Sequence, residues 1–261
     1  MTRLHVVTLP ADASFQTWRD HARKLLRNDI PASFVEWRVR SAQDDLFAEE
    51  SVLPAVAEGC QRTVRRGCVK LLQRILCHSS PDRFALAYRV LWRAGRAPGL
   101  IRDAADPDIA AANHMARQVR HDVHHMKSYV RFSEKQVAGS VSGSQARHFV
   151  SWFEPEHHIL EIVAPFFAGR FADMNWLILT PKGSVAWDGA EAVVTREPCA
   201  RETLEDETGH LWHTYYRSVF NPARVKMNAM RSGMPRKFWK NLPETGLIPE
   251  MLAEAARRGA G

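Results

Sequence analysis

The feature that most limits what this chain can fold into is a switch of hydrophobic period near residue 130. Through residues 109–130, Met115, Val119, Val123, Met126 and Val130 recur at helical spacing and fall within one narrow sector at about 100° per residue. Beyond that point the pattern alternates in short runs. Residues 130–138 and 148–153 flank a Gly/Ser-rich turn at 139–144, and residues 176–180 and 184–187 flank Pro181-Lys182-Gly183. Such runs, closed by turn residues, predict two antiparallel hairpins, and a further strand is expected near 192–195. One long helix followed by hairpins excludes an all-helical bundle and a doubly wound βαβ fold. It points to an α+β protein, with an antiparallel sheet built from hairpins and packed with several helices.

The remaining stretches fit that class. Residues 4–9 and 34–39 read as short strands, with a helix over 14–28 carrying Phe15, Trp18, Leu25 and Leu26 between them. Residues 58–77 read as a basic helix. Ser80-Pro81-Asp82 reads as a cap with proline at the first position of a helix to about 94. Pro155 is expected to open a helix whose apolar face holds Ile159, Leu160, Ile162, Val163, Phe166 and Phe167. The rest, broken by Pro222, Pro235, Pro243 and Pro249, reads as mostly helical. The loop at 95–108 is the best boundary, giving an N-terminal α/β and helical region (1–100) and a second region (101–261), or one continuous domain.

Charge narrows the function classes. The chain carries a formal +7, which favours a polyanionic partner. The charge is also segregated: acid collects around Asp44 to Glu50 and Glu202 to Glu207. Between residues 217 and 243 lie Arg217, Arg224, Lys226, Arg231, Arg236, Lys237 and Lys240, with no acid among them. Tyr215, Tyr216, Phe220, Phe238 and Trp239 are set into that charge. Cations that follow a phosphate backbone, with flat side chains that stack on bases, are what a nucleic-acid surface needs. Arg65, Arg66 and Lys70 form a second basic group, and Arg117, Arg120 and Lys127 a third, on the back of the 109–130 helix. Solvated basic faces are the competing reading. No apolar run reaches the roughly 20 residues a membrane helix needs, and the first ten residues do not read as a signal peptide. The four cysteines show no metal-ligand spacing, so a cytoplasmic protein with reduced thiols is expected.

The same helix carries His114, His121 and His125 on one flank. His121 and His125 are four residues apart, a spacing that lets two imidazoles share an ion. His157 and Glu161 repeat it, so the two pairs are candidate ligands for a divalent metal, although the pattern matches no diagnostic motif. Asp122 sits at the border of the apolar stripe and needs a partner, because a buried unpaired charge is costly. His121, His125 or His158 would supply one, as a general acid–base pair or as a structural ion pair. Glu154, Glu156, Glu161 and Asp188 are alternative Mg²⁺ ligands, with Asp188-Gly189 also reading as simple turn chemistry.

The strings HDVHHMKSYVRF, FVSWFEPEHHILEIVAPFFAGRFADMNWLILTP, SVAWDG, LWHTYYRSVFNPARVKMNAM and MPRKFWKNLPE resemble a bacterial family of unknown function described as DNA metabolism proteins. The resemblance covers about residues 1–245 and is densest from 114 to 242. Members are typically encoded beside a radical-SAM protein assigned to DNA repair or modification, or are fused ahead of a uracil-DNA glycosylase-like domain. The resemblance implies a stand-alone form that acts with such a partner enzyme, and it carries over no catalytic residue. Three expectations follow. The first is a DNA-binding accessory of base-damage repair. The second is a nuclease or lyase using His121, Asp122, His125, Glu154, His157, His158 and Glu161. The third is a protein-interaction scaffold without nucleic-acid contact.

Overall fold

The computed structural model describes residues 4–40, 64–135 and 148–200. The chain forms two compact units. Unit 1 is Met1–Val123 with Glu156–Ile159, and unit 2 is His124–Pro155 with Leu160–Gly261. The division falls inside one long helix, and the chain returns to unit 1 for four residues.

In unit 1, β1 (His5–Leu9) and β2 (Val35–Val39) pair in parallel, from His5 opposite Val35 to Leu9 opposite Val39. The crossover between them is α1 (Phe15–Arg27). Ser14 caps α1 by accepting the Thr17 amide at 3.0 Å, which satisfies one of the orphan donors of the first turn. Its C-terminus closes as a Schellman motif: Ile30 N–H donates to Leu25 O at 3.0 Å and Asp29 N–H to Leu26 O at 3.1 Å. Asp29 takes the left-handed backbone conformation there, with φ of 51°. Such a position usually holds glycine. Here Arg96 binds the Asp29 carboxylate at 2.8 Å, and the Tyr88 hydroxyl donates to Ile30 O at 2.7 Å.

Two helices follow, α2 (Arg66–Ile75) and α3 (Arg83–Ala94), then a 3-10 turn (Leu100–Arg102) and α4 (Pro107–Tyr129). Helix α2 begins at Arg66 with Arg65 as its extended cap residue, so Val64 and Arg65 are not helical as expected; residues 58–63 lie outside the described residues. Ser80 accepts the Asp82 amide at 3.2 Å, which moves the start of α3 from the proline to Arg83. The core of unit 1 is aromatic: Trp37 lies 6.0 Å from Trp18, 5.8 Å from Tyr88 and 6.4 Å from Phe84 between ring centres.

In unit 2, β3 (Ser133–Lys135), β4 (His148–Trp152), β5 (Asn175–Thr180), β6 (Gly183–Trp187) and β7 (Ala192–Thr195) form one sheet in that order. Neighbours run antiparallel except β4 and β5, which pair in parallel from His148 opposite Asn175 to Trp152 opposite Leu179. The α+β class expected from the period switch holds; β3 pairs with β4 and β5 with β6 as antiparallel partners, and the turn expected at 139–144 lies outside the described residues. The parallel join between the two pairs was not expected; it needs a crossover, which α5 (Leu160–Arg170) supplies by lying against β6 and β7. Helix α5 starts five residues after Pro155, because residues 156–159 leave for unit 1.

The β5–β6 turn is tight. Thr180 is fully buried, and its hydroxyl donates to Gly183 O at 2.8 Å while accepting the Lys182 amide at 3.1 Å. Gly183 has φ of 127°, and a Cβ there would stand 2.2 Å from Thr195 O, so only glycine fits. The sheet's packing face carries Trp176, Ile178 and Val185, and Phe132, Phe167 and Phe171 pack within 6.3 Å of one another. Among the described residues no helix is long and apolar enough to cross a membrane.

Candidate functional site

Among the described residues, buried polar side chains gather in unit 1 around His78, Arg83, Asp122 and His157. Helix α2 ends at Ile75, and two further turn bonds (Cys77 N–H to Arg74 O at 3.1 Å, His78 N–H to Ile75 O at 3.0 Å) carry His78 inward. His78 is 9% exposed and His157 is 4% exposed. Their rings lie 4.3 Å apart between centres, tilted by 32°. Ser80 N–H donates to Nδ1 of His78 at 3.0 Å, and Ser79 N–H donates to Nδ1 of His157 at 3.3 Å. The Ser79 hydroxyl lies 3.2 Å from the same nitrogen. An Nδ1 that accepts an amide proton fixes the tautomer, so in each neutral ring the proton sits on Nε2. His78 Nε2–H therefore donates to Gln118 Oε1 of α4, at 3.0 Å.

One turn further along α4 stands Asp122, 3% exposed. Its Oδ2 accepts the main-chain N–H of His157 at 2.9 Å. The carboxylate thus has one partner in a main-chain amide. Asp122 is also part of the buried stripe. That stripe runs through Ile109, Ala112, Ala116, Val119, Asp122, Met126 and Tyr129. Met115 and Val123 are only partly covered.

The electrostatics favour neutral imidazole at His78. Burial pushes its proton affinity below the ordinary histidine value, and Arg83 and His114 act in the same direction; the Gln118 hydrogen bond and Glu156 oppose it. Arg83 is 1% exposed and donates to Ser80 O at 2.9 Å, Ser79 O at 3.3 Å and Ala11 O. Burial pushes the Cys68 thiol up to about 11, which marks a packing thiol.

His121 is exposed on α4 in unit 1. In unit 2, the His125 ring stacks on Tyr129 at 5.8 Å, Glu154 accepts the Trp152 indole N–H at 2.9 Å, and Glu161 pairs with Arg196. His158 contributes its main-chain N–H, to Cys77 O at 2.8 Å. Asp188 accepts the amides of Ala190 and Glu191 at 2.9 and 2.8 Å, an ordinary turn that holds its carboxyl below the usual range. Among the described residues, no three His, Cys, Asp or Glu side chains gather closely enough to hold a metal ion.

The cations divide into two sets. Arg89 and Arg93 of α3 clamp the start of α4 through Asp108 and Asp106. Asp106 also caps α4 by accepting the amides of Asp108 and Ile109, both at 3.1 Å. These arginines are structural. Arg65, Arg66, Lys70 and Arg74 at α2, and Arg117 and Arg120 on α4, are exposed and form no ion pair among the described residues. On α2 they stand opposite the buried Cys68, Leu72 and Ile75. Lys127, in unit 2, places its ammonium 4.6 Å over the Phe166 ring. Tyr215, Tyr216, Arg224, Lys226, Arg231, Arg236, Lys237, Trp239 and Lys240 lie outside the described residues.

The chain belongs to the DUF4130 family, a domain of unknown function, whose profile matches residues 81–244, more than half of its length. No curated protein and no solved structure matches it.

Proposed function

We propose that this DUF4130 protein is a DNA-binding accessory of base-damage repair that grips the phosphate backbone through the cationic helices of unit 1. One observation carries the reading. Unit 1 uses Arg83, Arg89, Arg93 and Arg96 to tie its own elements together, yet leaves the α2 and α4 cations without acidic partners among the described residues. Arg66, Lys70 and Arg74 recur at every fourth residue, about 6 Å apart along the helix axis. Surplus exposed charge of this kind is what a polyphosphate neutralises on binding. The family likeness stated above adds the partner: a radical-SAM or uracil-DNA glycosylase-like enzyme that performs the chemistry, in a cytoplasmic setting consistent with free Cys68, Cys77 and Cys199.

Binding to short duplex DNA across a salt series is the test. Each phosphate contact adds about 0.9 to the log–log slope for duplex and about 0.7 for single strands. Replacing Arg66, Lys70 and Arg74 together by glutamine is expected to lower that slope by about two to three, whereas Lys182→Gln in unit 2 leaves it unchanged. A flat slope in the native protein, or no binding at low salt, overturns the reading.

A further inference from the structure

Residues 156–159 reach unit 1 only after the chain has passed through β3 and β4. Specific polar contacts hold them there, and Ile159 is fully buried. His157 N–H is bound by Asp122 and His158 N–H by Cys77 O. A further contact runs through imidazole: His157 Nδ1 receives Ser79 N–H, and the His157 ring lies on His78, whose own Nδ1 receives Ser80 N–H. Both acceptor roles exist only in neutral rings. An imidazolium carries N–H at both nitrogens and accepts nothing. Two imidazoliums with centres 4.3 Å apart would also repel in a site where water cannot screen them.

We infer that the His78–His157 pair is a proton-sensitive clasp: neutral rings hold residues 156–159 in unit 1, and protonation of the pair releases them. The charged groups around it are Arg83 from α3, His114 and Asp122 from α4, and Glu156 from the held segment itself. Arg83 and His114 work against a proton on His78, and Glu156 works for one. Asp122 engages the main-chain N–H of His157, a bond that opens with the segment when the clasp is released. The folded protein holds the His78 proton less tightly than a free side chain does. The clasp is therefore fully closed above the ordinary histidine value, about 6.5, and loses stability as the pH falls from there through the lower folded value.

Amide hydrogen exchange on the full chain, at about pH 7.5 and about pH 5.5 and corrected for intrinsic exchange chemistry, tests the clasp. The amides of His157 and His158 are expected to lose about tenfold or more of their protection at the lower pH, while those inside α1 keep theirs. In the double variant His78→Asn, His157→Asn, each side-chain oxygen stands in for Nδ1 and cannot titrate, so neutral-pH protection is expected to persist and its acid loss to vanish. If that variant does not fold, imidazole NMR titration of the native protein decides instead: at least one of the two rings must gain its proton in step with the loss of protection. Equal protection at both pH values, acid loss that survives in the double variant, or titration of both rings without loss of protection overturns the proposal. None of these readings involves a nucleic acid, so the clasp and the DNA-binding reading stand or fall separately.

Discussion

Among the described residues, unit 1 carries 17 Lys and Arg against 10 Asp and Glu, whereas unit 2 carries 6 against 7. Both units bury an aromatic core, Trp18, Trp37, Phe84 and Tyr88 in one and Phe132, Phe167, Phe171 and Trp176 in the other. What separates them is the treatment of polar groups. Unit 1 buries a charged arginine, an aspartate and two histidines, each met by main-chain or amide partners, and exposes cations that form no ion pair among the described residues. Unit 2 buries little more than hydroxyls and builds its order from strand pairing. An antiparallel sheet supplies its own hydrogen-bond partners; short helices and loops must recruit side chains to do so. The unit that needs polar side chains for structure is also the one with charge to spare for a ligand.

The sharpest way to break this comparison is to test whether the two cores are separate. Phe84→Ala and Phe167→Ala each remove a ring that is at most 1% exposed, at a cost of about 3–5 kcal/mol. Hydrogen exchange should show the first loosening α1 and α3 and the second loosening β5 and β6. If either variant deprotects both sets equally, the units act as one body and the contrast loses its meaning.

A smaller effect sharpens the claim about buried polarity. Asp122→Ala leaves the His157 amide without that acceptor and should cost about 1–3 kcal/mol by denaturant unfolding. Thr180→Val, the matching change at the buried hydroxyl of unit 2, costs toward the lower end of the same range, since it loses neutral hydrogen bonds to the turn. Equal costs would remove the distinction between charged and neutral buried groups.

The smallest effect concerns the clamp on α4. Asp106 is held below the usual carboxylate range, first by Arg93 and then by the amides of Ile109 and Asp108. Its stabilising contribution is complete above the ordinary aspartate value, about 3.9, and is lost as the pH falls through the lower folded value. Asp106→Asn keeps the cap and removes the charge. Thermal unfolding followed downward from neutral pH should then show a shallower acid limb, and an unchanged limb would mean that Arg93 contributes nothing there.

Much of the fold was legible in local pattern, and the site was not. Ser14 before Phe15, and Pro181-Lys182-Gly183 between alternating runs, announce α1 and the second hairpin because their physics is contained within a few residues. The parallel pairing of β4 with β5 depends on where α5 packs, which no local period encodes. Pro155 looked like a helix start because the stretch after it is apolar; Ile159 is indeed buried, but with unit 1 and before α5 begins. The His78–His157 pair joins residues nearly eighty positions apart. His157 attracted notice as a possible metal ligand, but nothing near His78 or Gln118 marked them as its neighbours. On α4, the long apolar side chains marked the covered side, but Ala112 and Ala116 are buried more completely than Met115.

The four-residue return of the chain to unit 1 also has a bearing on synthesis. A ribosome adds about 5–20 residues per second and releases the N-terminal part first. Helices α1 to α3 are therefore in place seconds before residue 157 exists, with His78 lacking its stacking ring and Asp122 lacking the amide it later binds. Unit 1 begins first and finishes late, so a nascent chain arrested before Glu156 would display a half-built polar interior to whatever chaperone or protease meets it.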